Sequence, residues 1–141
     1  MTTLLSVTLF FVFLFLSLLH MYWGLGGRWG SAAVIPVKEN GTAHFKPGKL
    51  PTFIVAMALL AIGVYYLITV KLIPIRLPAW LQQYGLWLLA GIFLLRAIGD
   101  FYYVGFFKKI RHTAFGKNDT LYYSPLCLVI SLLTALIALF H

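Results

Sequence analysis

The stretch TLLSVTLFFVFLFLSLLHMYWGL, residues 3–25, contains no lysine, arginine, aspartate or glutamate. Three further apolar runs follow at residues 52–70, 84–107 and 120–140, and only 84–107 contains charged residues. A helix that spans a bilayer needs about 20 residues, so the four runs occupy most of the chain. Short connections make neighbouring helices antiparallel. The sequence therefore predicts a single all-α membrane domain, residues 1–141, built as an antiparallel bundle of four transmembrane helices.

The composition supports a protein whose solvent is largely lipid. Hydrophobic residues make up 62% of the chain and charged residues only 10%, whereas a soluble domain carries roughly 25% charged residues. The first run lacks a basic leading segment and is too long for the apolar part of a signal peptide, so we expect it to be a retained span. The single cysteine, Cys127, excludes an internal disulfide.

The connections predict both a local structure and an orientation. The first connection, residues 26–51, contains Asn40-Gly41 between two extended stretches, which predicts a short β-hairpin. The first and third connections hold eight lysines and arginines, against two in the second. Because cytoplasmic loops carry the excess of positive charge, we expect the first and third loops to be cytoplasmic and both termini to be external. The net charge of +8 then reflects loop bias and contact with membrane lipids, and we expect no nucleic-acid partner.

Each run carries a stripe of small or polar residues at the spacing of one helical face, which is typical of close helix packing in membranes. The stripes include Ser6, Phe13 and Ser17 in the first run, Ala56, Gly63 and Tyr66 in the second, Gly85, Ile92, Arg96 and Gly99 in the third, and Ser124, Ser131, Thr134 and Ala138 in the fourth.

Arg96 and Asp100 are the two charges inside the third run. If that helix reaches residue 107, Arg96 lies about 18 Å and Asp100 about 12 Å below Lys108. Charges at such depth are costly unless they are paired, and Asp100 is one turn from Arg96 on the same face. We therefore predict that they pair inside the cytoplasmic half of the bundle. The residues predicted to surround a ligand there are His20, Trp23, Arg28, Arg96, Asp100, Tyr103, Asp119 and Tyr122. A purely structural ion pair is the alternative.

Three motifs resemble a known family. HMYWGLGGRWG (residues 20–30), RAIGDFYYVGFFK (96–108) and DTLYYSPLCL (119–128) are similar to the signature stretches of domain of unknown function 3995. The resemblance extends over essentially the whole chain. It implies a bacterial inner (cytoplasmic) membrane protein with four spans, and it identifies His20, Trp23, Arg96, Asp100 and Asp119 as motif positions. It implies no reaction, substrate or cofactor.

Several chemistries find no support in the spacing of the residues. The four histidines lie far apart in the sequence, so no metal site is predicted. A haem ligated by His20 is not supported by any further motif in the sequence. Neither a catalytic triad nor a phosphate loop is recognisable, so no catalytic residue is assigned and the cofactor stays unknown. We favour binding of a lipid-like or anionic small ligand. A small, dimeric proton-coupled transporter and a membrane enzyme that acts on a lipid or quinone remain alternatives, so the question of a homodimer is open.

Overall fold

Four long helices make up most of the part of the chain that the structure describes. The computed structural model describes residues 1–27, 48–99, 105 and 117–141, except the side chain of Asp119. The helices are α1 (Thr2–Gly24), α2 (Lys49–Thr69), α3 (Ala79–Ile98) and α4 (Ser124–Phe140), and a π-helical turn (Asp119–Tyr123) leads into α4. The described residues contain no strand. The helices α1, α2 and α3 and the segment Thr120–Phe140 are each long and apolar enough to cross a membrane. The predicted all-helical fold is thus confirmed for the described residues, with four candidate membrane spans.

The third helix differs in extent from the predicted 84–107. It begins at Ala79, directly after Pro78, and ends at Ile98. Gly99 follows with a φ of 86°, a left-handed conformation that glycine adopts without steric cost, and its N–H bonds the carbonyl of Leu95 at 2.7 Å. Arg96 therefore lies in the last turn of α3 and not deep within a longer helix.

Two local predictions meet different outcomes in the connections. The hairpin predicted around Asn40-Gly41 lies outside the described residues. The sequence also predicts Asp119 as the N-cap of the fourth helix, and this is wrong, because residues 117 and 118 are already helical and Asp119 begins the π-helical turn. Pro125 follows in the first turn of α4 and has no N–H to donate to the preceding turn. An irregular turn at this point is consistent with that missing donor.

The described residues form two compact units, and the first unit comprises residues 1–27, 48–87 and 133–141. Within it α1 packs against α2 through small residues. The Ser17 hydroxyl donates to the carbonyl of Ala56 at 2.7 Å, and both residues are buried. At Gly63, a Cβ atom would lie 3.2 Å from the Cβ of Phe13. Glycine therefore permits this close approach of the two helices, as is common in membranes.

The same unit contains a hydrogen bond between α2 and α4. The Tyr66 hydroxyl lies 2.7 Å from the Thr134 hydroxyl, and both side chains are fully buried. The ring of Tyr66 also contacts Phe13 of α1, with 5.8 Å between ring centroids. Tyr66 thus contacts both α1 and α4 within the first unit.

The second unit comprises the described residues 88–99, 105 and 117–132. Here α4 bonds to α3, because the Ser131 hydroxyl donates to the carbonyl of Ala90 at 2.7 Å. The buried face of α3 in this unit contains Ala90 and Ala97. Ile92, which the sequence placed on the interior face, is 57% exposed, so that assignment is wrong. An apolar residue in a membrane helix is equally suited to lipid and to protein, so its type does not reveal which it faces.

Candidate functional site

The end of α1 presents an imidazole and an indole side by side. His20 Nδ1 lies 2.7 Å from the carbonyl of Leu16, one turn earlier. A carbonyl only accepts, so Nδ1 is the donor in this hydrogen bond. The rings of His20 and Trp23 meet edge to face, with 5.2 Å between their centroids. Both side chains are half-buried, so this pair remains accessible at the end of the first span.

Arg96 is the charged residue of the third span. Its side chain is half-buried, and its Nη1 atom is enclosed by the protein. The guanidinium therefore does not simply extend into lipid, in agreement with the expected inward orientation. It also lies in the last turn of α3, where the backbone carbonyls favour a cation.

A close backbone contact seals the end of α3. Gly105 is buried with a φ of 91°, and a Cβ atom on it would collide with the carbonyl of Ile98 and the Cα of Gly99. Only glycine fits this contact, because it alone lacks a Cβ and readily adopts a positive φ. The glycines of the motif GDFYYVG thus have a structural role at the end of the helix.

The predicted pairing of Arg96 with Asp100 was based on their four-residue spacing on one face of a continuous helix. Asp100 and Tyr103 lie outside the described residues. The four-residue spacing sets a distance only within one continuous helix, whereas α3 ends at Ile98 and Gly99 has a positive φ, so this spacing no longer supports the pair. The pair stays a prediction on other grounds, namely the cost of leaving a charge unpaired in a span.

The remaining predicted site residues are distributed as follows. Arg28 lies outside the described residues. Asp119 begins the π-helical turn, and its side chain is outside the description. Tyr122 lies on the same turn and is 63% exposed, so its ring is at the surface of that segment. Among the eight predicted residues, the described contacts bring together His20 and Trp23.

The described side chains offer no ready-made metal centre. Within the described ranges, no group of three histidine, cysteine or acidic residues is close enough to hold a metal ion. The arrangement is instead one of single polar groups at the ends of apolar helices. Such an arrangement is suited to binding a ligand through the Arg96 guanidinium or through a ring nitrogen of His20.

A cavity that the sequence did not predict lies at the C-terminal end of α2. It lies against the connection between α2 and α3, and Lys71 and Arg76 are in its lining. A signal was present in the sequence, because the connection 70–78 contains two cations and no acidic residue.

The four apolar helices of the described residues are compatible with a multi-pass integral membrane protein. Residues 13–134 match the family described as Protein of unknown function (DUF3995). This match covers most of the chain, so the chain belongs to that family, and the resemblance drawn from the three motifs is confirmed. No curated protein and no solved structure matches the chain.

Proposed function

We propose that this protein is an antiparallel four-span bundle of the bacterial inner membrane that binds a lipid-like or anionic small ligand in its cytoplasmic half. The antiparallel arrangement is supported by the contacts of α1 and α2, in which Gly24 lies near Phe53 and Phe13 lies near Gly63. The proposed orientation rests on the charge of the loops, with the first and third connections inside.

The observation that carries the proposal is the enclosed guanidinium of Arg96. Its Nη1 atom is buried at the end of a span that is otherwise apolar. Charged residues inside membrane spans are rare and are functional candidates by default. We assign Arg96 as the counter-ion of the ligand. The sequence adds His20 by its expected depth, and the family motif adds Trp23.

A purely structural role for Arg96 is the competing explanation, because a cation at a helix C-terminus also stabilises the helix. Two substitutions separate the roles. Arg96→Lys keeps the charge, whereas Arg96→Gln removes it but retains donors for hydrogen bonds. Lys49→Gln is a matched control, since Lys49 is an exposed cation at the start of α2.

The test is to purify each variant in mild detergent, extract the bound small molecules and identify them by mass spectrometry, while thermal unfolding reports on the fold. We expect one anionic species to accompany the wild type, Arg96→Lys and Lys49→Gln, and to fall at least about tenfold in a folded Arg96→Gln protein. Loss of stability in Arg96→Gln with the bound species unchanged would show that Arg96 is only structural. An absence of any bound anionic species from the wild type would also contradict the proposal.

A further inference from the structure

A polar pocket lies in the first unit, at the C-terminal end of α2. It has a volume of about 530 Å³ and is bounded by the end of α2, the connection 70–78, the start of α3 and the end of α4. Its polar lining consists of Thr69, Lys71, Arg76, Gln82 and His141. None of the sequence motifs includes Lys71 or Arg76, so this pocket is separate from the site argued above.

The side chains that line the pocket include two cations, Lys71 and Arg76, and no carboxylate. Glu39, Asp100 and Asp119 are the acidic residues of the whole chain, and all lie far away in sequence. Neither Lys71 nor Arg76 forms an ion pair within the part of the chain that the structure describes. Two cations that share one cavity repel each other, and an anion placed between them relieves this repulsion.

The backbone holds Lys71 in an unusual conformation. Its φ is 62°, in the left-handed region that glycine normally occupies after a helix. Two hydrogen bonds close the helix end around it: Lys71 N–H bonds the carbonyl of Ile68 at 2.9 Å, and Leu72 N–H bonds that of Leu67 at 3.0 Å. A strained backbone held in place in this way is a feature that often accompanies binding sites.

Hydrogen bonds also fix the part of the pocket wall formed by the start of α3. The Gln82 amide donates to the carbonyl of Leu77, and the N–H groups of Leu81 and Gln82 both bond the carbonyl of Pro78 at 3.0 Å. The Tyr65 hydroxyl donates to the carbonyl of Leu81 at 3.0 Å and so ties α2 to the start of α3. The walls are therefore held in place before any ligand binds, which lowers the entropy cost of binding.

The remaining lining is apolar and lies at the end of two membrane spans. Ile73, Ile75 and Leu77 are part of it, next to the two cations. Trp80, 59% exposed at the start of α3, is the type of residue that anchors a helix at the membrane interface. The pocket therefore combines positive charge with apolar surface at the level where lipid headgroups meet acyl chains.

We propose that this pocket binds an anionic phosphate group, with Lys71 and Arg76 as its counter-charges and Gln82 as a further donor. The phosphate belongs either to the headgroup of an anionic lipid or to a free phosphate in solution. Arginine and lysine are the side chains that bind phosphate most commonly, through charge-assisted hydrogen bonds.

The test compares a double variant of the pocket with a double variant of equal charge elsewhere. Lys71→Gln with Arg76→Gln removes both cations of the pocket. Lys49→Gln with Lys117→Gln removes two exposed cations outside it. Native mass spectrometry in a neutral detergent measures binding of added phosphatidylglycerol and, as a zwitterionic reference, phosphatidylcholine. Titration with inorganic phosphate, followed by calorimetry, provides the second arm.

We expect the wild type to bind phosphatidylglycerol at least about tenfold more tightly than the pocket variant, and more tightly than phosphatidylcholine. The outside variant should bind it as the wild type does. If inorganic phosphate binds the wild type and not the pocket variant, the phosphate is a soluble one; if only the lipid shows this difference, it is a headgroup. Equal binding by the wild type and the pocket variant in both arms would overturn the proposal, and so would an equal loss in the outside variant. The single variant Arg76→Glu, at an exposed position outside the helices, should fold and abolish binding.

Discussion

The hydrogen bond between Tyr66 and Thr134 allows a quantitative test of how α2 and α4 are held together. The two hydroxyls are 2.7 Å apart, and both residues are 0% exposed. The Tyr66 hydroxyl makes no other hydrogen bond in the described part of the chain, so Thr134→Val leaves this hydroxyl buried without a partner. A stranded buried group costs about 1–3 kcal/mol, and hydrogen bonds between membrane helices lie at the low end, near 0.6–1.7 kcal/mol. We therefore expect Thr134→Val to lower the free energy of unfolding by about 1.5 kcal/mol.

The partner substitutions follow from the same geometry. Tyr66→Phe removes one of the two hydroxyls and keeps the ring contact with Phe13, so we expect a smaller loss of about 0.6 kcal/mol. The double variant strands no Tyr66 hydroxyl, and its loss should be about 1 kcal/mol less than the sum of the two single losses. Reversible unfolding by sodium dodecyl sulfate in mixed micelles, followed by circular dichroism, measures these values. Thr8→Val is the control, because Thr8 is exposed and bonds only within its own helix, to Leu4. Additive losses, or a larger loss for Tyr66→Phe than for Thr134→Val, would refute the reasoning.

Three further predictions concern the backbone and the orientation of the chain. Gly105→Ala should destabilise the protein by more than about 2 kcal/mol in the same unfolding assay, because the added Cβ meets the end of α3 and the residue has a positive φ; a neutral effect would show that the contact is not formed. Lys71→Gly should raise the free energy of unfolding by about 1 kcal/mol, since glycine relieves the left-handed strain, and a decrease would contradict this. In intact cells, a cysteine at Gln82 should react with an impermeant thiol reagent and one at Asn118 should not; the reverse pattern would invert the proposed orientation.

The number and nature of the helices were predictable from the sequence. Hydrophobicity is a local property, so an uninterrupted apolar run of about 20 residues specifies a span whatever it packs against. The inward orientation of small and hydroxyl residues in α1, α2 and α4 was also predictable from the sequence. Ser17, Ala56 and Thr134 were predicted to face neighbouring helices, and all three are buried. The local signals also indicated Arg96 as a polar group that must avoid lipid.

The partners of these groups required the tertiary structure. The sequence shows that Ser17 and Tyr66 need partners in a membrane, but only the packing decides that Ser17 bonds the carbonyl of Ala56 and Tyr66 the hydroxyl of Thr134. In α3 the apolar residues are suited to both lipid and protein, so the inward face was misassigned at Ile92. The end of α3 at Ile98 depends on the backbone conformation of Gly99, and this conformation removed the helical argument for pairing Arg96 with Asp100.

The pocket at Lys71 and Arg76 was likewise predictable from the sequence only in part. The sequence contains its two cations and the absence of nearby acids. It does not show that the connection folds back so that both cations line one cavity together with Gln82 and His141. That arrangement depends on a left-handed lysine at the end of α2 and on hydrogen bonds between Tyr65 and Leu81 across the turn. Hydropathy and charge along the chain determined what crosses the membrane, whereas the shape of the polar sites arose from contacts between residues distant in sequence.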